Sequence, residues 1–283
     1  MQYGTGLPLS GGSYDPVMLK DFAQALDGAG FHVLSSGGHL LSAEPGRFPA
    51  NPTPTYSGSF FEPFVTYSFL AAVTTRLRFR PSILILPMFP TAMVAKQSAA
   101  LALLSGGRFE LGVGVSWNTV EYAAMNADFR TRGRRLDEQI EVLRLLWAGG
   151  PVTFEGRWHH FDAIGLGITP PPIPIWMGTG PGEHQLRRLA KSADGWLPMG
   201  DPSASLPQLH ELLIEHGRDP LTFGLTGRVT LSDEGAGAWV THAERLVAMG
   251  VTEITLGTPP ALDRAASLAR LIEGRRVLGD AIG

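Results

Sequence analysis

The stretch "LSGGRFELGVGVSW", residues 104–117, sets three signals in a row. An apolar helical run ends at Leu104, the pair Gly106 and Gly107 follows, and a short apolar segment comes directly after it. Glycine takes up the left-handed conformation that closes a helix, so the chain stops a helix here and passes at once into a buried strand. "GAGF" at 28–31 and "AMGV" at 248–251 repeat the same handover. A handover that recurs along a chain is the mark of alternating helix and strand.

Working outward from it, short runs fit for buried strands lie at 2–6, 32–36, 77–86, 108–114, 173–178, 195–199, 225–231 and 253–257. Helical patterns occupy 15–29, 62–75, 91–104, 134–148, 182–193, 203–216, 236–249 and 261–278. In the fourth helix Leu136, Ile140, Leu143 and Trp147 form one apolar stripe with charges elsewhere, as a helix packed on a sheet requires. Strict alternation with short apolar strands and no linker predicts an α/β chain, residues 1–283 as a single domain, with a parallel sheet closed into a (β/α)8 TIM barrel. An open doubly wound sheet is the alternative. Closure predicts pairing of the last strand, near Glu253 to Leu256, with the first, near Tyr3 to Thr5. Three loops are long, 37–61, 115–133 and 149–172, the first and last without a pattern, and such loops are where a barrel keeps its site.

Composition narrows the function classes. Apolar residues are 44% and charged ones 17% of 283 residues, enough for a large core. The formal net charge is −3 with basic residues scattered, which argues against a nucleic-acid partner. There is no cysteine, so disulfides, thiolate metal sites and cysteine nucleophiles are excluded. "MQYGTGLPLSGG" lacks the basic head and apolar core of a signal peptide. The most apolar window, 82–95, is interrupted by Pro87 and Pro90 and is shorter than the roughly 20 residues of a membrane span. A cytoplasmic location and no membrane partner are expected.

On this reading Gly112 and Gly114 lie at the mouth end of the fourth strand, where a missing Cβ admits either a flat ligand or a bulky neighbour. "MGTGPGEHQLRRLA" at 177–190 places Gly178, Thr179, Gly180 and Gly182 between a strand and a helix. Unpaired N–H groups and the positive dipole end there suit an anion, although an ordinary glycine-rich turn reads the same way. His39 follows the second strand and could exchange a proton or bond a ligand, or be a plain loop histidine. His159 and His160 are adjacent, face opposite ways on an extended segment, and are read as structural. No H-x-H lies on the first strand and no H-E-x-x-H occurs, which weakens a metal-dependent hydrolase.

The runs "EPFVTYSFLAAVTTRLRF", "LLSGGRFELGVGVSWNTVEY", "DFRTRGRRLDEQIEVLRLLWAG", "VTFEGRWHHF" and "IPIWMGTGPGEHQLRRLAKSADGWLP" resemble the bacterial-luciferase-like superfamily, in particular its F420-dependent oxidoreductase branch. The resemblance covers about residues 1–200 well and the last 80 loosely. It implies a TIM barrel holding coenzyme F420, or alternatively FMN, at the C-terminal mouth, with hydride transfer or, for FMN, monooxygenation. "PSILILP" matches the family's bulge, which implies a non-prolyl cis peptide between Ser82 and Ile83 against the ring. His39 matches a histidine near the ring's reactive edge; Gly112, Gly114 and Val115 match the fourth-strand end; Gly178, Thr179 and Gly180 match the phosphate loop. Two departures stand out: relatives place an acid directly before the histidine or just after the fourth-strand glycines, where this chain has Gly38 and Val115.

Arg130, Arg132, Arg134 and Arg135 precede and enter the fourth helix, against the dipole preference for acids. Pairing with Asp128, Asp137 or Glu138 would offset them, and so would the longer acidic tail of F420. Trp117, Asn118, Glu121 and Tyr122 either wall the pocket or begin a short helix. Three functions follow: an F420-dependent oxidoreductase acting on a small-molecule substrate, a barrel hydrolase, and a flavin-binding barrel without turnover. The first is favoured, with F420 over FMN. A homodimer is expected from the resemblance and from helix 62–75, apolar on nearly all sides.

Overall fold

The structure is a computed structural model describing residues 1–8, 15–42, 44, 47–48 and 61–283. In chain order it runs β1 (Gln2–Gly6), α1 (Pro16–Gly28), β2 (Val33–Gly38), α2 (Pro63–Ala71), β3 (Arg78–Leu84), α3 (Thr91–Leu104) and β4 (Leu111–Val113). After these come α4 (Thr119–Ala124), α5 (Arg132–Trp147), β5 (Val152–Glu155), β6 (His160–Ile164), β7 (Ile175–Thr179), α6 (Glu183–Ser192) and β8 (Gly195–Pro198). The chain closes with α7 (Leu206–Glu215), β9 (Gly224–Thr230), α8 (Ala236–Ala248), β10 (Glu253–Gly257) and α9 (Arg264–Ile282). Side-chain acceptors start several helices: Asp15 takes the Val17 N–H, Glu62 that of Val65, and Asp263 that of Ala266. Gly30, Gly106, Gly107 and Gly250 all have positive φ at the three handovers read from the sequence.

All eight expected strands form one closed parallel barrel in the order β1-β10-β9-β8-β7-β4-β3-β2. Closure is made by β1 and β10, with Tyr3 opposite Ile254 and Thr5 opposite Leu256. Outward-facing Tyr3, Leu34, Phe79, Ile175 and Trp196 form the layer between sheet and helices, each 0% exposed. No helix among the described residues is long and apolar enough to cross a membrane.

Two elements go beyond the sequence reading. Residues 149–172 are not an unpatterned loop: β5 and β6 pair antiparallel outside the barrel, Phe154 opposite Phe161. The 115–133 segment contains α4, the short helix that the sequence offers as one reading of 117–122. Most of the 37–61 loop lies outside the described residues.

The strands' inward faces are set by register. Thr226 lies beside Glu253 and Arg228 beside Thr255; Gly112 lies beside Trp176. Low in the barrel, Arg80 is clasped by Glu110 (Nη1 to Oε2, 2.9 Å) and by Glu253, whose Oε2 is 3.0 Å from the same nitrogen. Its guanidinium lies 4.3 Å from the centre of the Trp176 ring. That ring occupies the space Cβ atoms would need at Gly195 and Gly224. The cluster joins β3, β7 and β10 across the interior and floors the mouth above it.

Candidate functional site

At the mouth, β3 departs from regular pairing. The bond between Ser82 and Ile83 is cis, and the β2–β3 register shifts between Ser36 and Gly38. Ser82 turns to the open cavity, whereas Ile83 is half-buried and wedged between two glycines. A Cβ on Gly114 would lie 2.6 Å from Ile83 Cδ1, and one on Gly178 would lie 2.5 Å from Ile83 Cγ2. A Cβ on Gly112 would run into the Pro81 carbonyl oxygen. The space left by these three glycines is therefore filled by the β3 bulge, which takes the bulky-neighbour side of the reading offered for Gly112 and Gly114. Any flat ligand at this rim meets the bulge itself.

Gly38 belongs to the same packing. Its Cβ would sit 2.6 Å from the Ile83 carbonyl oxygen, so no acidic side chain fits at 38. The carboxylate beside His39 comes instead from α4. Ser116, with φ 55, turns the chain out of β4; Asn118 then caps α4 by accepting from the Val120 and Glu121 N–H groups. Glu121, 2% exposed, reaches back to β2. Its Oε2 is 2.8 Å from His39 Nδ1, and its Oε1 accepts from the N–H of Leu40 at 2.6 Å and of Leu41 at 3.3 Å. Burial acts to raise the Glu121 pKa, but the bonds from His39 and from the two backbone N–H groups hold it below the ordinary carboxylate range. A buried carboxylate on Nδ1 orients the imidazole ring.

On the neighbouring rim, the Thr179 carbonyl accepts from Trp196 Nε1 at 2.9 Å and from the Met199 N–H at 3.1 Å, which fixes the end of β7. Beyond it nothing lies within 4 Å of where a Gly180 Cβ would be. Gly182 starts α6 without a side-chain cap, leaving first-turn N–H groups for an incoming anion. The Val115 carbonyl accepts from the Tyr122 hydroxyl at 2.7 Å, tying the end of β4 to α4. A cavity of about 1130 Å³ opens on the β9–β10–β1 side of the barrel, with Ser82, Ser35, Arg228 and Gly257 on its wall together with Phe22 and Leu246 from the layer outside the strands.

Beyond α4 stands the arginine-rich start of α5. The three acids nearby in sequence are engaged elsewhere: Asp128 caps the Arg130 N–H, Asp137 pairs with Arg188, and Glu138 holds His159. Arg132 stacks on Phe129 at 3.7 Å from the ring centre. Among the described residues none of Arg130, Arg132, Arg134 and Arg135 forms an ion pair, so the pairing considered from the sequence is not made. Arg132 and Arg135 lie close enough to Tyr122 to oppose the upward push that burial gives its hydroxyl pKa.

Residues 4–276 match the family model described as luciferase-like monooxygenase. The chain belongs to this family. An uncharacterised protein of Mycobacterium tuberculosis (strain ATCC 25618 / H37Rv) is 39% identical over 201 residues, 70% of this chain and 68% of that protein. The F420-dependent hydroxymycolic acid dehydrogenase of the same strain is 27% identical over 272 residues, 93% of this chain and 72% of that one. Among solved structures, an F420-dependent secondary alcohol dehydrogenase in complex with an F420-acetone adduct superposes with a TM-score of 0.80 at 17% identity, covering 98% of both chains. At that identity the likeness concerns the fold.

The residues singled out from the sequence gather on one arc of the rim. His39, Ser82, Ile83, Gly112, Gly114 and Val115 stand at the ends of β2, β3 and β4, and Gly178, Thr179 and Gly180 at the end of β7. His159 and His160 are apart from it. His159 bonds Glu138 and Thr91, and His160 bonds Glu155 on the exposed hairpin. The sequence offers Glu121 only as a wall of the pocket or part of a short helix. The signal for its role was the cap "NTVE", which turns a carboxylate inward three residues after Asn118.

Proposed function

We propose that this luciferase-like chain is an F420-dependent oxidoreductase that moves a hydride between the deazaflavin and a small organic substrate, with His39 exchanging the accompanying proton. The observation that carries the reading is the His39–Glu121 pair beside the β3 bulge, a proton-exchanging group with an oriented ring at the rim where a flat cofactor fits. The residues suit such a group: Ile83 presents the bulge, Gly180 has open space, and the uncapped α6 N-terminus offers N–H donors to a phosphate. Bound there, the deazaflavin supplies two-electron hydride chemistry, with carbon in place of the nitrogen through which flavins react with oxygen. The relative named for F420, at 27% identity over 93% of this chain, supports the same choice.

FMN remains the second reading, because the family model itself is that of monooxygenases. The arginines opening α5 favour F420: they hold positive charge near the mouth without ion pairs, as a long acidic tail requires and FMN does not. The test is a fluorescence titration of the purified protein with F420 and, separately, with FMN. F420 should bind, and Gly180→Val should weaken it at least about tenfold, the size of one lost charge-assisted bond, while leaving thermal unfolding unchanged. Tight FMN binding with oxygen consumption and no affinity for F420 overturns the proposal; unchanged F420 affinity in folded Gly180→Val moves the phosphate site elsewhere.

A further inference from the structure

The barrel strands carry three arginines, all facing inward: Arg78, Arg80 and Arg228. The two on β3 are neutralised, Arg78 by Glu110 at 2.6 Å and Arg80 by Glu110 and Glu253. Arg228 is different. It sits higher on β9, the strand opposite β3 in the closed barrel, and its register partner Thr255 faces the same interior. A Cβ on Gly257 would lie 2.8 Å from its Nη2, so the guanidinium extends over the glycine end of β10 into the mouth. It is exposed to the cavity and has neither an ion pair nor a hydrogen bond among the described residues. Asp201, the acidic residue on the same cavity wall, is a loop cap that accepts from the Ser203 N–H. Two further basic side chains from α8, His242 and Arg245, line the cavity on the β9 side.

We infer that Arg228 is a substrate-anchoring residue and that the substrate class is small organic anions, carrying a carboxylate or phosphate. The inference rests on the cofactor lying against the β3 bulge. With the ring on the β2–β3–β4–β7 arc, the anion binds across the mouth on Arg228, and the reacting carbon lies between it and His39. A guanidinium forks onto two oxygens of a carboxylate or phosphate, so it fixes orientation as well as charge. Gly257 leaves room for that fork, and Thr255 and Ser82 on the same wall offer hydroxyls to the remainder of the molecule.

The experiment titrates the full chain with inorganic phosphate, acetate and, as neutral control, acetamide, followed by NMR line broadening of each probe. It compares wild type with Arg228→Gln and Arg228→Lys, and it measures F420 affinity of the same proteins by fluorescence. Phosphate and acetate should bind wild type and acetamide should not. Arg228→Gln should weaken both anions at least about tenfold, and Arg228→Lys less, with F420 affinity unchanged. Equal anion binding by folded Arg228→Gln overturns the inference. So does a loss of F420 affinity in that variant, which would give Arg228 to the cofactor's tail. The anion arm needs no cofactor, so failure of wild type to bind F420 sinks the functional reading without being mistaken for failure of the anchor.

Discussion

Glu121 engages four hydrogen-bond partners while almost wholly buried, and Glu121→Gln replaces one of its acceptor oxygens with an NH2 donor, so either the imidazole and Asn118 or the two backbone N–H groups lose their acceptor. Glu121→Gln should lower stability at neutral pH by about 1–3 kcal/mol, measured by urea unfolding. The sign with pH follows from the lowered pKa. The unfolded carboxyl takes up a proton at the ordinary value of 4.5 and the folded one only below it. The contribution is therefore whole above that value and fades as pH falls through the folded pKa. The gap between wild type and Glu121→Gln should be constant at neutral pH and close in acid; a gap that persists below the folded value contradicts the pairing. The pair also marks how far the site was legible. His39 and the glycines stand in local motifs, and the cis bond follows from what the resemblance of "PSILILP" implies. The resemblance points to positions 38 and 115 for a carboxylate, beside His39 and beside the β4 glycines, whereas it arrives from 82 residues along the chain. No spacing within one strand end could show that, since packing of the β3 bulge against Gly38 is what removes the local option.

At the scale of elements, the eight barrel strands and their helices were legible because each hides one face and so carries a period. The hairpin β5–β6 was not, because it is mostly exposed: in β6 only Phe161 is partly covered. Little of its sequence is set by burial beyond Val152, Phe154 and Phe161, which pack on the core, and its turn is held by a carboxylate on α5. Glu138 accepts from the N–H groups of Arg157 at 2.8 Å, Trp158 at 2.7 Å and His159 at 2.9 Å, and from His159 Nδ1 at 2.7 Å. His159 passes the connection to Thr91 at the start of α3, which also accepts from Gln139. Glu138→Ala should free the hairpin turn before it affects the barrel. Amide exchange at residues 157–159 should accelerate strongly, with a global cost of about 1–3 kcal/mol. Exchange at wild-type rates would mean that the turn is held by something other than Glu138.

At the scale of the whole molecule, the apolar residues left outside the barrel are unevenly placed. α2 and α3 pack side by side on the outer layer, and both carry large apolar side chains in water: Val65 at 71% and Phe69 at 42% exposure, Met93 at 57%, Leu103 at 46% and Leu104 at 80%. Neither helix has the polar outer face that a helix covering only a sheet would show. α2 buries Phe64, Tyr67 and Leu70 inward while Val65 and Phe69, one turn apart, point away. Scattered apolar residues on a surface need no explanation, but several on two adjacent helices form a patch of the kind that meets a partner. We propose a second copy of this chain as that partner, the two faces meeting about a twofold axis, so that one patch serves both sides of the interface. Light scattering should give twice 30.4 kDa at micromolar concentration. Val65→Asp combined with Leu104→Lys should halve the mass while leaving the far-ultraviolet circular dichroism unchanged, since both side chains lie outside the core. A wild-type protein that scatters only as 30.4 kDa removes the proposal. A dimer that survives the double substitution places the interface on another face.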